Sequence, residues 1–320
     1  MLKDLVKQCL PLPANSKLLV LGAGFSGQHV ASLARALGTP VLCSRRTIDS
    51  PGSNLVFDSS TQVLPTLESL DGVTPVLNCI PPTGSGDDPV LSCLLEQLNA
   101  LPLQWVGYLS TTGIYGDCGG NWVTEEDQPH PEQPRSQRRL ACEQAWQASG
   151  LPIQILRLPG IYGPGRSVLQ NIKSGKSKLI DKPGQVFSRI HIDDIAGATL
   201  HLIARAAAGQ WPKVVNVADD LPTASKDLLS YGAQLLGRSL PALQPFAMAA
   251  EGMSPMARSF WEENRRVSNR LLCQDLGYTL MHPDYHSGLR DCFLQDEFSV
   301  GNRSPDQVIQ GSDSDLNHQK

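Results

Sequence analysis

Gly22, Gly24 and Gly27 stand at G-x-G-x-x-G spacing, and Ser44, Arg45 and Arg46 follow about 20 residues further on. The glycine set has the chemistry of an anion cradle. Its first glycine makes a tight turn, its second lets a pyrophosphate approach the backbone, and its third seats a helix on a strand. The backbone N–H groups of a helix opening at Phe25, Ser26 and Gly27 would then face the phosphates. With 28 glycines in the chain the spacing alone is weak. Its place after a buried strand and before a helix carries the assignment, against the alternative of a glycine-rich turn that holds no ligand. An NAD-selective site usually closes its second strand with an acid for the ribose hydroxyls, yet the first acid after Cys43-Ser-Arg-Arg46 is Asp49. Two guanidiniums and a hydroxyl suit a 2′-phosphate. The expected cofactor is NADP(H), with NAD(H) as the second choice, and a pair of solvated surface arginines is the competing account. Asp58, at the end of the next strand, is placed to reach an adenine amino group or to cap a helix. Cys79-Ile-Pro81-Pro follows a fourth strand and would lay backbone beside the cofactor, with Cys79 a small buried residue.

These residues need strands to hold them. Lys17–Leu21 is a short apolar run ending in glycine, as expected of a strand buried on both faces. Val30, Leu33, Ala34 and Leu37 then recur with helical period and stop at Gly38, a glycine cap. Further strands are expected at Pro40–Ser44, Asn54–Phe57, Pro75–Ile80, Gln104–Leu109, Ile153–Leu158 and Val214–Val217, with helices between most of them. This alternation predicts an α/β fold, a doubly wound parallel sheet of Rossmann type. The rhythm breaks over 160–189 and again over 218–295, which suggests a smaller, discontinuous C-terminal substrate lobe beside a dinucleotide-binding domain of 16–159 and 190–217. The stripe Ile195, Ala198, Leu202 and Ala206 predicts a helix with Asp193 as its N-cap. Residues 296–320 carry few apolar side chains and are expected to be a disordered tail.

Composition narrows the function classes. Of 320 residues, 41% are apolar and 18% charged, which fits an ordinary globular chain. Twenty-seven basic against 31 acidic side chains give a net charge of −4, most of it in the tail, so no broad basic face is offered to nucleic acid or to an anionic membrane. The cysteines at 9, 43, 79, 93, 118, 142, 273 and 292 include no C-x-x-C pair. They suggest neither a zinc site nor a disulfide framework, and a reducing, cytoplasmic compartment is expected. No signal peptide or membrane span is expected either.

Three segments carry a more specific likeness: Leu109-Ser-Thr-Thr-Gly-Ile-Tyr-Gly116, Leu156-Arg-Leu-Pro-Gly-Ile-Tyr-Gly-Pro-Gly-Arg166 and Arg189-Ile-His-Ile-Asp-Asp-Ile-Ala196. In these the chain resembles the extended short-chain dehydrogenase/reductases, and more narrowly the NAD-dependent epimerase/dehydratase group with its atypical members. The likeness runs in order from about Ser16 to Phe293 and takes in Glu263-Asn-Arg-Arg-Val-Ser-Asn and Leu276-Gly-Tyr. It implies a Rossmann domain with a small lobe closing over a substrate, often a nucleotide sugar.

The resemblance also implies a catalytic set. A Ser or Thr four residues before the first Tyr-Gly pair polarises the substrate oxygen, and here that residue is Thr111. The family's Tyr and Lys, set by register against Glu143, fall on Arg135 and Arg139, and no Tyr or Lys occurs between Gly116 and Ile161. The usual phenolic acid/base is therefore absent. Arg139 could still bind the nicotinamide ribose. Two nucleotide-sugar contacts are missing as well, their positions being Gly160 and Phe187. Tyr115 is a further catalytic candidate, while Tyr162, Arg166, Arg189 and His191 are candidates for substrate contact. For the two tyrosines packing under the loop is the favoured account, and for His191 a structural role. The expected activity is oxidoreductase or epimerase/dehydratase-like, on a small polar substrate. A non-catalytic dinucleotide sensor or assembly protein is the alternative. The family often pairs subunits through helices beside the active site, so a homodimer involving Leu140, Ala141 and Ala145 is compatible with the sequence.

Overall fold

The structure is a computed structural model that describes residues 2–47 and 54–301. Seven parallel strands form the central sheet: β1 (Leu18–Leu21), β2 (Val41–Arg45), β3 (Leu55–Val56), β4 (Pro75–Asn78), β5 (Trp105–Thr111), β7 (Ile153–Leu158) and β11 (Val214–Asn216). Their order, β3-β2-β1-β4-β5-β7-β11, reverses direction between β1 and β4, the switch point of a Rossmann sheet. The strands are short apolar runs because both faces are covered. Leu18 and Val20 face one hydrophobic cluster with Leu33 and Leu202, while Leu19 and Leu21 face another with Leu94, Leu98 and Trp146. Each such fully buried leucine contributes ~1.5–3 kcal/mol.

The covering helices are α2 (Phe25–Ala36) and α6 (Ile192–Ala207) on one face, with α3 (Pro89–Ala100) and α4 (Pro134–Ala148) on the other. Helix α2 ends as the sequence predicts, with Gly38 at φ +84° just past its C-cap. Helix α1 (Leu2–Gln8) packs against α2 and α6. At α6 the expected cap is displaced: His191 is the N-cap and accepts the Asp193 N–H through its ring, while Asp193 lies in the first turn.

The remaining elements gather around the C-terminal half. Tyr162, Leu169, Leu228, Tyr285, Leu289 and Cys292 form a separate cluster among α5 (Val168–Lys173), α7 (Ser225–Leu236) and α10 (Tyr285–Gly301). Short pairs bind distant segments together: β8 (Gly160–Tyr162) with β10 (Arg189–His191), β9 (Ile180–Asp181) with β12 (Gln244–Pro245), and β6 (Trp122–Val123) with β13 (Arg266–Val267). Helices α8 (Phe246–Glu251) and α9 (Pro255–Glu262) lie between the last two of these. Helix α10 runs through Gly301, so the tail expected from position 296 is helical over its first residues, and positions 302–320 lie outside the described residues. Asp49 also lies outside them. No helix among the described residues is long and apolar enough to cross a membrane.

Candidate cofactor cleft and catalytic residues

A cleft of about 690 Å³ opens where the sheet changes direction, beyond the C-terminal ends of β1 to β4. Gly22, Gly24, Ser44, Arg45, Arg46, Asp58, Cys79 and Pro81 all line it. Gly22 has φ +80°, and a Cβ there would lie 2.6 Å from Ile80 Cγ1, so only glycine makes this turn. A Cβ on Gly24 would meet only the Gly22 carbonyl, at 3.9 Å, with open space otherwise. Gly27 is buried, where a Cβ would come 2.9 Å from Val20 Cγ1. Phe25, Ser26 and Gly27 open α2 but do not form the wall.

Ser44 is committed to the turn itself. Its Oγ accepts the Gly22 N–H at 3.0 Å and its carbonyl accepts the Ala23 N–H at 2.9 Å. The hydroxyl that the sequence offers to a 2′-phosphate is thus partly used in shaping the glycine loop. Arg45 is half-buried, and its Nε–H is buried with no hydrogen-bond partner among the described residues, while Arg46 is exposed. Asp58 caps no helix. Its Oδ1 accepts from the Ser60 N–H at 3.0 Å and from Ser60 Oγ at 2.7 Å in a local turn, and these bonds hold its pKa below the ordinary value. Burial pushes the Cys79 thiol far up, so it stays protonated. Thr47, Phe57, Ser59, Ser60 and Thr83 also line the cleft. Sequence reasoning passed over them, although each sits shortly beyond the end of β2, β3 or β4.

The residues placed by resemblance to the catalytic set do not form an acid/base couple. Thr111 closes β5, is half-buried, and accepts the Gly113 N–H on Oγ1 at 3.1 Å. Arg139 donates through Nη1 to the Leu109 carbonyl at 3.0 Å and to Tyr108 Oη at 3.1 Å, tying α4 to the end of β5. Arg135 donates to Ser259 Oγ and lies 4.2 Å from the Phe260 ring centre, tying α4 to α9. Both arginines are tethers between elements.

Tyr115 turns away from the role the sequence allows it. It is 3% exposed, its hydroxyl donates to Asn216 Oδ1 at 2.9 Å and accepts from Arg157 Nη1 at 3.0 Å, and burial raises its pKa. Tyr162 is likewise buried, 5.1 Å from His191 ring to ring, with its pKa pushed up by desolvation. Both phenols are buried in these contacts. His191 has a fully buried side chain, and burial together with the neighbouring His282 lowers its pKa to about 3, which keeps the ring neutral.

Tyr162, Arg166 and Arg189 line a second depression of about 420 Å³ beside α5 and α7. Arg166 is exposed and lies 5.3 Å from the Phe25 ring at the start of α2. Arg189 is buried, and its Nη1 donates to the carbonyls of Phe187 and Thr223 at 2.9 and 3.1 Å.

Known proteins share this architecture. Residues 91–218, from α3 to just past β11, match the model of the NAD dependent epimerase/dehydratase family. A solved structure of a functionally unknown conserved protein from Silicibacter pomeroyi DSS is 37% identical, covers 88% of this chain and 99% of its own, and superposes with a TM-score of 0.77. Protein YeeZ of Escherichia coli is 23% identical over 290 residues, which is 84% of this chain and 97% of YeeZ. A human epimerase family protein, solved with NADPH, shares the fold at 20% identity with a TM-score of 0.66, over 87% of this chain and 99% of that one. With a Rossmann sheet, a glycine turn at its switch point and these relatives, the chain belongs to the NAD-dependent epimerase/dehydratase family.

Proposed function

We propose that the protein binds NADP(H) in the cleft at the switch point and acts there as an atypical short-chain dehydrogenase/reductase. The observation that carries this reading is that Arg45 and Arg46 line the cleft at the end of β2, where NAD-selective sites place an acid. The open space around Gly24 and a cleft within the usual ~300–1,000 Å³ range support it. So does the relative solved with NADPH. The dinucleotide, when bound, supplies the hydride or accepts it. The chain supplies binding and orientation: Arg45 and Arg46 face the 2′-phosphate, the α2 N-terminus faces the pyrophosphate, and the Thr111 hydroxyl orients the reacting oxygen of a small polar substrate, such as a sugar nucleotide. Guanidinium groups donate hydrogen bonds but do not shuttle protons, so the proton would come from water or from another side chain. The eight cysteines suit a reducing cytoplasm. Ala141 and Ala145 are exposed on α4, where a second subunit would pack.

Titration with NADPH and NADH tests the cofactor assignment. Charge-assisted bonds contribute ~1.5–3 kcal/mol each, so NADPH should bind roughly tenfold tighter or more, and Arg45→Asp should erase the difference. Equal affinity in the unsubstituted protein counts against the assignment. A second reading, a dinucleotide sensor without turnover, is favoured by the tethering of Arg135 and Arg139 and by the burial of both phenols. A broad metabolite screen followed by nicotinamide absorbance separates the two. Where a substrate is found, Thr111→Ala should lower kcat by ~10²-fold with cofactor affinity unchanged. Unchanged turnover would remove Thr111 from the reaction.

A further inference from the structure

Four side chains from three separate stretches of sequence converge in the interior. His191 caps α6, Asp193 stands in its first turn, His282 comes from the loop before α10, and Asp291 comes from α10 itself. Each offers one donor atom, and the four donor atoms lie within 4.8 Å of one another. The side chains are 0%, 2%, 8% and 11% exposed. The geometry points to a structural site for one divalent transition-metal ion, zinc in the first place, bound by His191, Asp193, His282 and Asp291.

The donor set supports this. Two imidazoles and two carboxylates suit zinc, and a closed four-ligand shell suits a structural ion. Ligand bonds of about 2.0–2.2 Å place tetrahedral donors roughly 3.3–3.6 Å apart. His282 Nε2 already lies 3.3 Å from Asp193 Oδ2, and His191 Nδ1 lies 3.7 Å from the same oxygen. Small shifts would therefore complete the shell. The tautomer of His191 is also set, because Nδ1 accepts the Asp193 backbone N–H over a long 3.3 Å contact and the ring proton must sit on Nε2. On the other side of the ring, His191 Nε2 lies 3.7 Å from Asp291 Oδ2. An ion would take the Nδ1 lone pair now lent to the weak amide contact. His29, on α2, bonds the other oxygen of Asp193 and would orient that carboxylate from outside the shell. Such an ion would fasten α10 and the 282 loop to α6, and through His29 to the glycine-turn helix. The cluster has no sequence signature, since its members span about a hundred positions without the short spacings of known zinc motifs.

The test uses the full chain without a histidine tag and does not depend on dinucleotide binding. Metal analysis of the purified protein should find one zinc per chain. After chelation, titration with Co²⁺ should produce visible absorption of the tetrahedral ion that saturates at one equivalent and is displaced by Zn²⁺, while Tm should fall on chelation and return with zinc. Loss of an outer partner alone costs ~10–100-fold in metal affinity, so His282→Ala and Asp291→Ala should each weaken Co²⁺ binding by more than that, with the exposed His130→Ala as an unaffected control. The wild-type cobalt titration needs no variant and stands even if both substitutions unfold the chain. Trace metal, no cobalt absorption and a Tm indifferent to chelator and zinc would overturn the proposal and leave a hydrogen-bonded knot. Cobalt binding that survives in a folded His282→Ala variant would overturn it equally.

Discussion

Gly24→Val is expected to abolish dinucleotide binding while leaving the protein folded, with Tm close to the unsubstituted value. Gly24 has φ −78° and ψ −153°, which side-chain-bearing residues adopt, and a Cβ there meets nothing closer than 3.9 Å. A valine would fit the fold and fill the space through which a pyrophosphate reaches the backbone at the α2 N-terminus. The expected loss is at least ~100-fold in affinity, the equivalent of about 2.7 kcal/mol. Gly27→Val should behave in the opposite way. Its Cβ would sit 2.8 Å from the Gly22 carbonyl and 2.9 Å from Val20 Cγ1, forcing α2 off β1, so destabilisation of ~1–3 kcal/mol or more should appear in thermal melts before any effect on binding can be read. Calorimetric titration with NADPH and melting curves on both variants separate the cases. A folded Gly24→Val protein that binds as before would place the dinucleotide elsewhere.

The two glycine variants show why the cofactor half of the molecule was legible in the sequence. A βαβ unit is built from contacts close in sequence, so the apolar run of β1, the glycine spacing and the stripe on α2 each report local geometry. All seven sheet strands fall on runs that the residue pattern marks, within about three residues at their ends. Outside the central sheet the local signal fades. The paired segments β8 with β10, β9 with β12 and β6 with β13 are two or three residues long, too short for a period, and are held by partners far away in the chain. The helical continuation to Gly301 was hidden for a related reason: a mostly polar stretch carries no apolar period to mark a helix. The same limit applies to the site. Arg45 and Arg46 are read from their place at the end of β2, whereas whether Tyr115 faces ligand or core depends on Arg157 and Asn216, which arrive from β7 and β11.

That last dependence leads to the largest stability effect expected in the molecule. Glu143, the residue that fixes the register of the two arginines, lies 1% exposed on α4 and receives Arg157 from β7 in a two-pronged contact, Nη2 to Oε2 at 2.8 Å and Nε to both oxygens at 3.3 Å. Ser110 Oγ donates to the same carboxylate, and Arg157 continues to the Tyr115 hydroxyl and over its ring at 4.9 Å. Burial works against the charge on Arg157, but the Glu143 carboxylate outweighs it and the pKa rises. Glu143→Ala would leave a buried guanidinium without its counter-charge, at a cost of ~3–5 kcal/mol. In a domain of this size that corresponds to a fall in Tm on the order of 10 °C. Replacing both partners, as in Glu143→Met with Arg157→Met, removes the stranded charge and should recover most of the loss. A double-mutant cycle by denaturant unfolding measures the coupling. If Glu143→Ala costs less than ~1 kcal/mol, the pair is not what holds α4 against β7. If the paired replacement is as stable as the wild type but Thr111-dependent turnover falls, the network's role is to place the end of β5, since Ser110 and Thr111 are neighbours on that strand.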